Sequence, residues 1–184
     1  MSLKIVHLAA EIENSDDFHI ARLILLLNAA AGRSDKPVKG IMKLAKMDFL
    51  LRYPNCLYRA LKAIGKEADA KEIPANELNT IEARMIRFRY GPWDKRYRRW
   101  IGLLVSKGLA DTYLEGRTVN VKLTPAGKIV AEQLSALEEF RPIANRSKIV
   151  VSAIGGYSAT KLKEFIYEVF PEIIDMQWGR CIEL

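Results

Sequence analysis

The residues of this chain best equipped for chemistry are its clustered arginines. Arg84, Arg87, Arg89, Lys95, Arg96, Arg98 and Arg99 crowd one stretch and alternate with Phe88, Tyr90, Trp93, Tyr97 and Trp100. A guanidinium is a permanently charged planar fork that can grip a phosphate or a guanine edge through two hydrogen bonds. The chemistry suggested is recognition of a polyanion, with no bond made or broken. Catalytic groupings are harder to find. His7 and His19 are the only histidines, both in or beside apolar segments, and neither shares a motif with a Cys, a Ser or a carboxylate pair. There is no GxxxxGK[ST], HExxH or GxSxG string. Cys56 and Cys181 lie far apart, without CxxC or Cys/His spacing, so neither a zinc site nor a disulfide framework is suggested. The expectation is a protein that is not an enzyme and has no cofactor and no metal.

The elements that must position the arginines follow a recognisable order. Asp94 can cap a helix over 95–107, in which Tyr97, Trp100, Ile101, Leu104 and Val105 form one apolar stripe and Gly108 supplies the stop. Residues 109–114 are strand-like, Glu115-Gly116 turns the chain, and 118–123 alternates with Val119, Val121 and Leu123 inward. Thr124 caps a further helix with Pro125 at its first position. Helix, hairpin, capped helix is the layout of a winged helix-turn-helix. The expected fold is therefore mainly α with a small β wing (α+β): a winged helix-turn-helix core with extra N-terminal helices and a C-terminal helical extension.

On this layout Lys95, Arg98 and Arg99 share the outer side of the helix, Arg96 lies at its edge, and Arg117 sits at the wing tip. Arg89, Lys95, Arg96, Arg98, Arg99, Arg117 and Lys122 are the candidate nucleic-acid contacts. Two other readings of the cluster stay open: a solvated face paired with acids from elsewhere, and a protein interface, where Arg and Trp are favoured. Tyr97 and Trp100 are read as core.

Three segments are expected: 1–75, an N-terminal helical part; 76–141, holding the basic helix, wing and following helix; and 142–184, a strand, helix and docking tail. In the first, residues 1–14 are strand or helix, and Ser15, Asp16 or Asp17 caps an apolar helix running to Ala31. A second helix ends at Arg52 with Lys39, Lys43 and Lys46 outside, and a third starts at Pro54. Residues 66–74 read as loop, 76–87 as helix, with 85–90 equally able to be extended. In the last segment, 147–154 reads as strand and Ser158 caps a helix to Phe170. The apolar tail, Phe170, Ile173, Ile174, Met176, Trp178 and Ile182, packs back or docks on a partner.

Over 184 residues, 29 Lys and Arg against 22 Asp and Glu give +7, an electrostatic hint of a polyanionic partner. The start is followed by acids rather than a cleavable apolar run, and no stretch is apolar enough to cross a bilayer. The location expected is cytoplasmic, with no membrane partner and no evident small-molecule substrate.

Three strings carry a resemblance: residues 43–54 (KLAKMDFLLRYP), 89–97 (RYGPWDKRY) and 166–173 (IYEVFPEI). Together they resemble the small middle subunits of bacterial ABC three-component systems, which include the Lamassu class of anti-phage defence. The resemblance spans most of residues 40–175. It implies a non-enzymatic winged-helix accessory subunit of an SMC-like ABC ATPase, bridging it to an effector subunit, often a nuclease, with double-stranded DNA as an open third partner. ATP hydrolysis and cutting would then belong to the partners. The alternative is a stand-alone winged-helix transcriptional regulator.

Overall fold

The computed structural model describes residues 15–81 and 84–184; the expectations for 1–14 lie outside them. The Ser15 side chain accepts from the Phe18 amide at 3.3 Å and so opens α1, Asp16–Ala31. Asp16 and Asp17 in its first turn complement the helix dipole. Every residue from His19 to Leu27 is buried, so α1 is the central helix, and the remaining elements wrap it.

After α1 comes the short strand β1, Val38–Lys39, then α2, Ile41–Arg52, and α3, Pro54–Ala63. The corner between α2 and α3 forms because Pro54 disfavours helix at Tyr53 and then starts the next one. The Tyr53 hydroxyl at this corner accepts from the Met85 amide (2.8 Å) and donates to the Ile182 carbonyl (2.9 Å). One ring thus ties the middle of the chain to its end. Residues Glu67–Lys71 form a short helix, α4, where a loop was expected; Ala70 is its single buried residue and anchors it to the core.

Strands β2, Ile86–Phe88, and β3, Gly91–Trp93, pair as a tight hairpin. The extended alternative for this region holds, and Gly91-Pro92 opens the second strand. The chain's end extends this ribbon: Ile182 N donates to Met85 O and Arg87 N to Arg180 O, both at 2.8 Å, and Gly179 N to Arg87 O at 2.7 Å.

The basic helix is α5, Tyr97–Ser106, followed by β4, Ala110–Glu115, and β5, Thr118–Leu123. Gly116 (φ 61°) and Arg117 make the two-residue turn between the paired Glu115 and Thr118. The sheet order is β1-β5-β4, all antiparallel. Thr124 then caps α6, Pro125–Ala136, by accepting from Gly127 N at 3.0 Å. Gly127 is obligatory at this junction, since a Cβ there would lie 2.0 Å from the Leu109 carbonyl oxygen.

Residues 147–154, expected as strand, belong to α7, Arg141–Ile154. The β-branched run Ile149-Val150-Val151 suggests strand. The buried set Ile143, Ser147, Val150 and Ile154 nevertheless follows helical spacing, and Ser147 Oγ donates to Ile143 O one turn back. Last come α8, Ala159–Val169, capped by Ser158, and α9, Glu172–Asp175. One core contains residues of all three expected segments, from Leu23 and Trp100 to Ile166. The architecture is mainly helical with a small antiparallel sheet, an α+β fold. No helix among the described residues is long and apolar enough to cross a membrane.

Candidate nucleic-acid interface

The site is built outward from a buried charge cluster that fixes α5. Asp48 on α2 is wholly enclosed and receives Arg22 Nε at 2.8 Å, Arg52 Nε at 2.9 Å and the Tyr97 hydroxyl at 2.5 Å. Arg52 also reaches Asp94 (2.9 Å), which in turn takes a two-point contact from Arg96 (3.0 and 2.9 Å). Burial alone would raise the Asp48 carboxyl; the Arg22 and Arg52 guanidiniums outweigh it and hold it well below the usual carboxylate range. For Asp94, burial is likewise overcome by the hydrogen bond from Arg96 and the charge of Arg52, leaving it at about 2. Asp94 Oδ1 also accepts from the Arg96 amide at 3.0 Å and so orders the turn before α5. Asp94, expected as the cap of a helix from 95, is not its cap, since the helix opens at Tyr97 after Arg96 with no side-chain cap. The cluster therefore locks α1, α2 and α5 into one frame.

Trp100 and Tyr97 are fully buried beneath α5, as read from the stripe. Trp100 Nε1 donates to Asp16 Oδ1 at 2.9 Å, and the His19 ring lies 4.4 Å from the Trp100 ring. With Tyr97, Trp100, Ile101 and Leu104 held, α5 turns Arg98, Arg99 and Gly102 outward. Val105, read as part of the stripe, is instead exposed, because it falls beyond the edge of the arc those four bury.

The seven candidate cations divide by what they already hold. Lys95, Arg98 and Arg117 are exposed, with no ion pair among the described residues. Arg89 is exposed at the β2–β3 turn, with its guanidinium 5.4 Å from the Tyr90 ring centre. Arg99 is exposed but bonds Asp16 at 2.5 Å. Arg96 is half-buried, spent on Asp94 and stacked over Trp100 at 4.8 Å. Lys122 pairs with Asp35 at 2.8 Å, beside the Lys128–Asp35 pair. Arg87, part of the same sequence cluster, is buried, donating to the Ile173 carbonyl at 2.7 Å. Arg98 and Arg117 come together across one groove of about 800 Å³, whose walls also carry Lys39 and Lys43.

The tail residues split similarly. Phe170, Ile173 and Ile182 are wholly buried, so the docking surface expected of them is interior in this chain: Phe170 packs edge-on against Phe49, and Ile182 lies at the end of the Tyr53 tie. Ile174 and Trp178 stand out to solvent and Met176 is half-buried.

Sequence reasoning missed Lys39 and Lys43 as groove residues, and it placed Lys46 outside. Lys46 is buried (1% exposed), donating only to Met42 O at 3.2 Å. Burial and the charge of Lys163 lower its ammonium to about 8. The physical reason is that β3 and α8 both cover this side of α2. Comparison with family models, with curated proteins and with solved structures finds no match.

Proposed function

We propose that this chain is a non-catalytic winged-helix accessory protein that holds double-stranded DNA on α5 and the β4–β5 hairpin. Supporting a winged helix are the helix–strand–helix start (α1, β1, α2), the helix leading into a hairpin, and the sheet order β1-β5-β4. Here α3, α4 and the β2–β3 hairpin form an insertion between the two helices that would make the helix-turn-helix pair. The observation that carries the reading is the open trio: Lys95 just before α5, Arg98 in its first turn and Arg117 at the hairpin tip, none of them ion-paired among the described residues. A helix laid in the major groove with a wing on the adjacent backbone uses cations at those two places.

The wider role, an accessory subunit joining an SMC-like ABC ATPase to an effector in anti-phage defence, rests on the resemblance of the three strings. The exposed Trp178 and Ile174 offer apolar anchors for such a partner. Lamassu-type defence is the context in which this assembly is expected.

Fluorescence anisotropy of the full chain with a labelled 25-base-pair duplex, over a salt series, tests the DNA part. About five phosphate contacts give a log–log slope of roughly −4 to −5. Arg98→Glu with Arg117→Glu should abolish binding and leave the melting temperature unchanged, because neither side chain holds an ion pair. Wild-type binding absent at 50 mM salt, or unaltered in the double variant, overturns it. Affinity purification from native cells with nuclease treatment tests the assembly: recovery of a coiled-coil ATPase supports it, and recovery of the chain alone rejects it.

A further inference from the structure

The groove beside α5 is built like a binding site. Its volume of about 800 Å³ falls within the roughly 300–1,000 Å³ of small-ligand pockets. Lys39, Lys43, Arg98 and Arg117 line it from four separate parts of the chain, with Tyr157 on one wall and Trp93 on another. A second recess of about 320 Å³ also borders Trp93 and is lined by Arg84, Lys95 and Arg96. The two recesses share the Trp93 ring.

Of the four cations only Lys39 is met by an acid of the walls among the described residues, in an exposed pair. Glu115 is bonded to Lys39 (3.3 Å) and to the Asn120 amide (3.2 Å), and Asp94 is consumed by Arg52 and Arg96. Lys43 holds the Gly155 carbonyl at 2.7 Å, which fixes its stem across the groove floor. The first residues of α2 and α8 border the larger recess, adding amide donors to the positive field. Trp93 is half-buried and already organised: Phe88 stacks beside it at 6.1 Å and 28°, and Tyr97 supports it from below at 5.1 Å. Cations lining both recesses that border one braced aromatic residue suit a strand whose phosphates run along the groove while a base stacks on the ring. A free nucleotide would need only one of the two recesses.

We propose that this groove takes an unpaired nucleic-acid strand, with a base against Trp93 and phosphates on Lys39, Lys43 and Arg98. The proposal rests on the DNA-binding reading above and deepens it: the preferred ligand is a duplex with a single-stranded tail.

The test compares, for the full chain, a blunt 20-base-pair duplex with the same duplex carrying a ten-thymidine tail. The tail should tighten binding about tenfold, the scale of one base stacked on an aromatic side chain. Trp93→Ala should remove that gain without changing affinity for the blunt duplex, and Trp93→Phe should keep most of it. Because Trp93 also packs on Tyr97, Lys39→Glu provides a second probe on an exposed strand residue and should cut the gain several-fold. A tail worth less than twofold in the wild type, or a gain that survives both Trp93→Ala and Lys39→Glu, overturns the inference while leaving duplex binding intact. Binding of tailed DNA or free ten-thymidine strand but not of blunt duplex would sink the duplex reading and keep this one. If none of these nucleic acids binds, both fall.

Discussion

Two groups of arginines sit within one protein and do opposite work. Arg22 and Arg52 are wholly buried and share Asp48, while Arg98 and Arg117 stand in solvent with no ion pair among the described residues. Each buried guanidinium has its charge met within hydrogen-bond distance, so it fixes geometry and presents nothing outward. The exposed pair is free to meet a charge that the chain does not supply. The net charge of +7 is blind to this difference, because it counts both groups alike. What distinguishes a structural arginine here is a partner folded in next to it, Asp48 for Arg22 and Arg52 and the Ile173 carbonyl for Arg87.

The sharpest way to break that comparison is to remove the shared acid. Asp48→Asn leaves Arg22 in the core without its counter-charge and Arg52 with Asp94 alone. Loss of one partner of a buried pair costs about 3–5 kcal/mol, so urea denaturation should show a loss of that size or a failure to fold. Arg98→Glu with Arg117→Glu should move the same curve by no more than about 0.5 kcal/mol. Equal effects from the two variants would erase the distinction.

Lys46 is a third case, a cation enclosed with no acid beside it among the described residues. Its folded value of about 8 lies below the ordinary lysine value of about 10.4. A base depressed on folding is penalised while it is charged in both states. Stability therefore rises with pH between about 8 and 10.4, where the unfolded chain still holds the proton and the folded one has released it. Lys46→Met should stabilise the protein by about 2 kcal/mol at pH 7, and the advantage should shrink as pH approaches 10. A gap between the two proteins that stays constant from pH 7 to 10 would show that the ammonium is not penalised by burial.

Local chemistry was legible in the sequence, and long-range enclosure was not. Ser15, Thr124 and Ser158 cap their helices because a hydroxyl followed by three residues of helix-compatible chain needs no distant partner. The stripe Tyr97, Trp100, Ile101, Leu104 could be read from its spacing alone, and with it the outward placement of Arg98. The enclosure of Asp48 could not be read, since Arg22 and Tyr97 reach it from sites far away in sequence. Lys46 looked exterior on the period of α2, but β3 and α8 cover it. Residues 147–154 looked like strand because three β-branched residues in a row dominate a short window; the pattern starting at Ile143 shows the helix. The groove around Trp93 is assembled from residues near 40, 95, 117 and 157, and no window of sequence contains it.

The smallest effect tests the exposed face itself. Gly102 lies mid-helix on the outward side of α5, and a Cβ there would meet nothing within 4 Å. A glycine in such a place costs about 1 kcal/mol of helix stability relative to alanine, and no packing inside the chain offsets the cost. Gly102→Ala should therefore raise stability by up to about 1 kcal/mol. If α5 lies against a nucleic-acid backbone, the added methyl falls between the turn bearing Arg98 and the turn bearing Val105, where contact is closest. Stability and affinity should then move in opposite directions, a modest gain in urea midpoint with a several-fold weaker complex. Unchanged affinity beside the expected gain in stability would place the contact on the flanking arginines and the hairpin, with the middle of the helix held clear of the ligand.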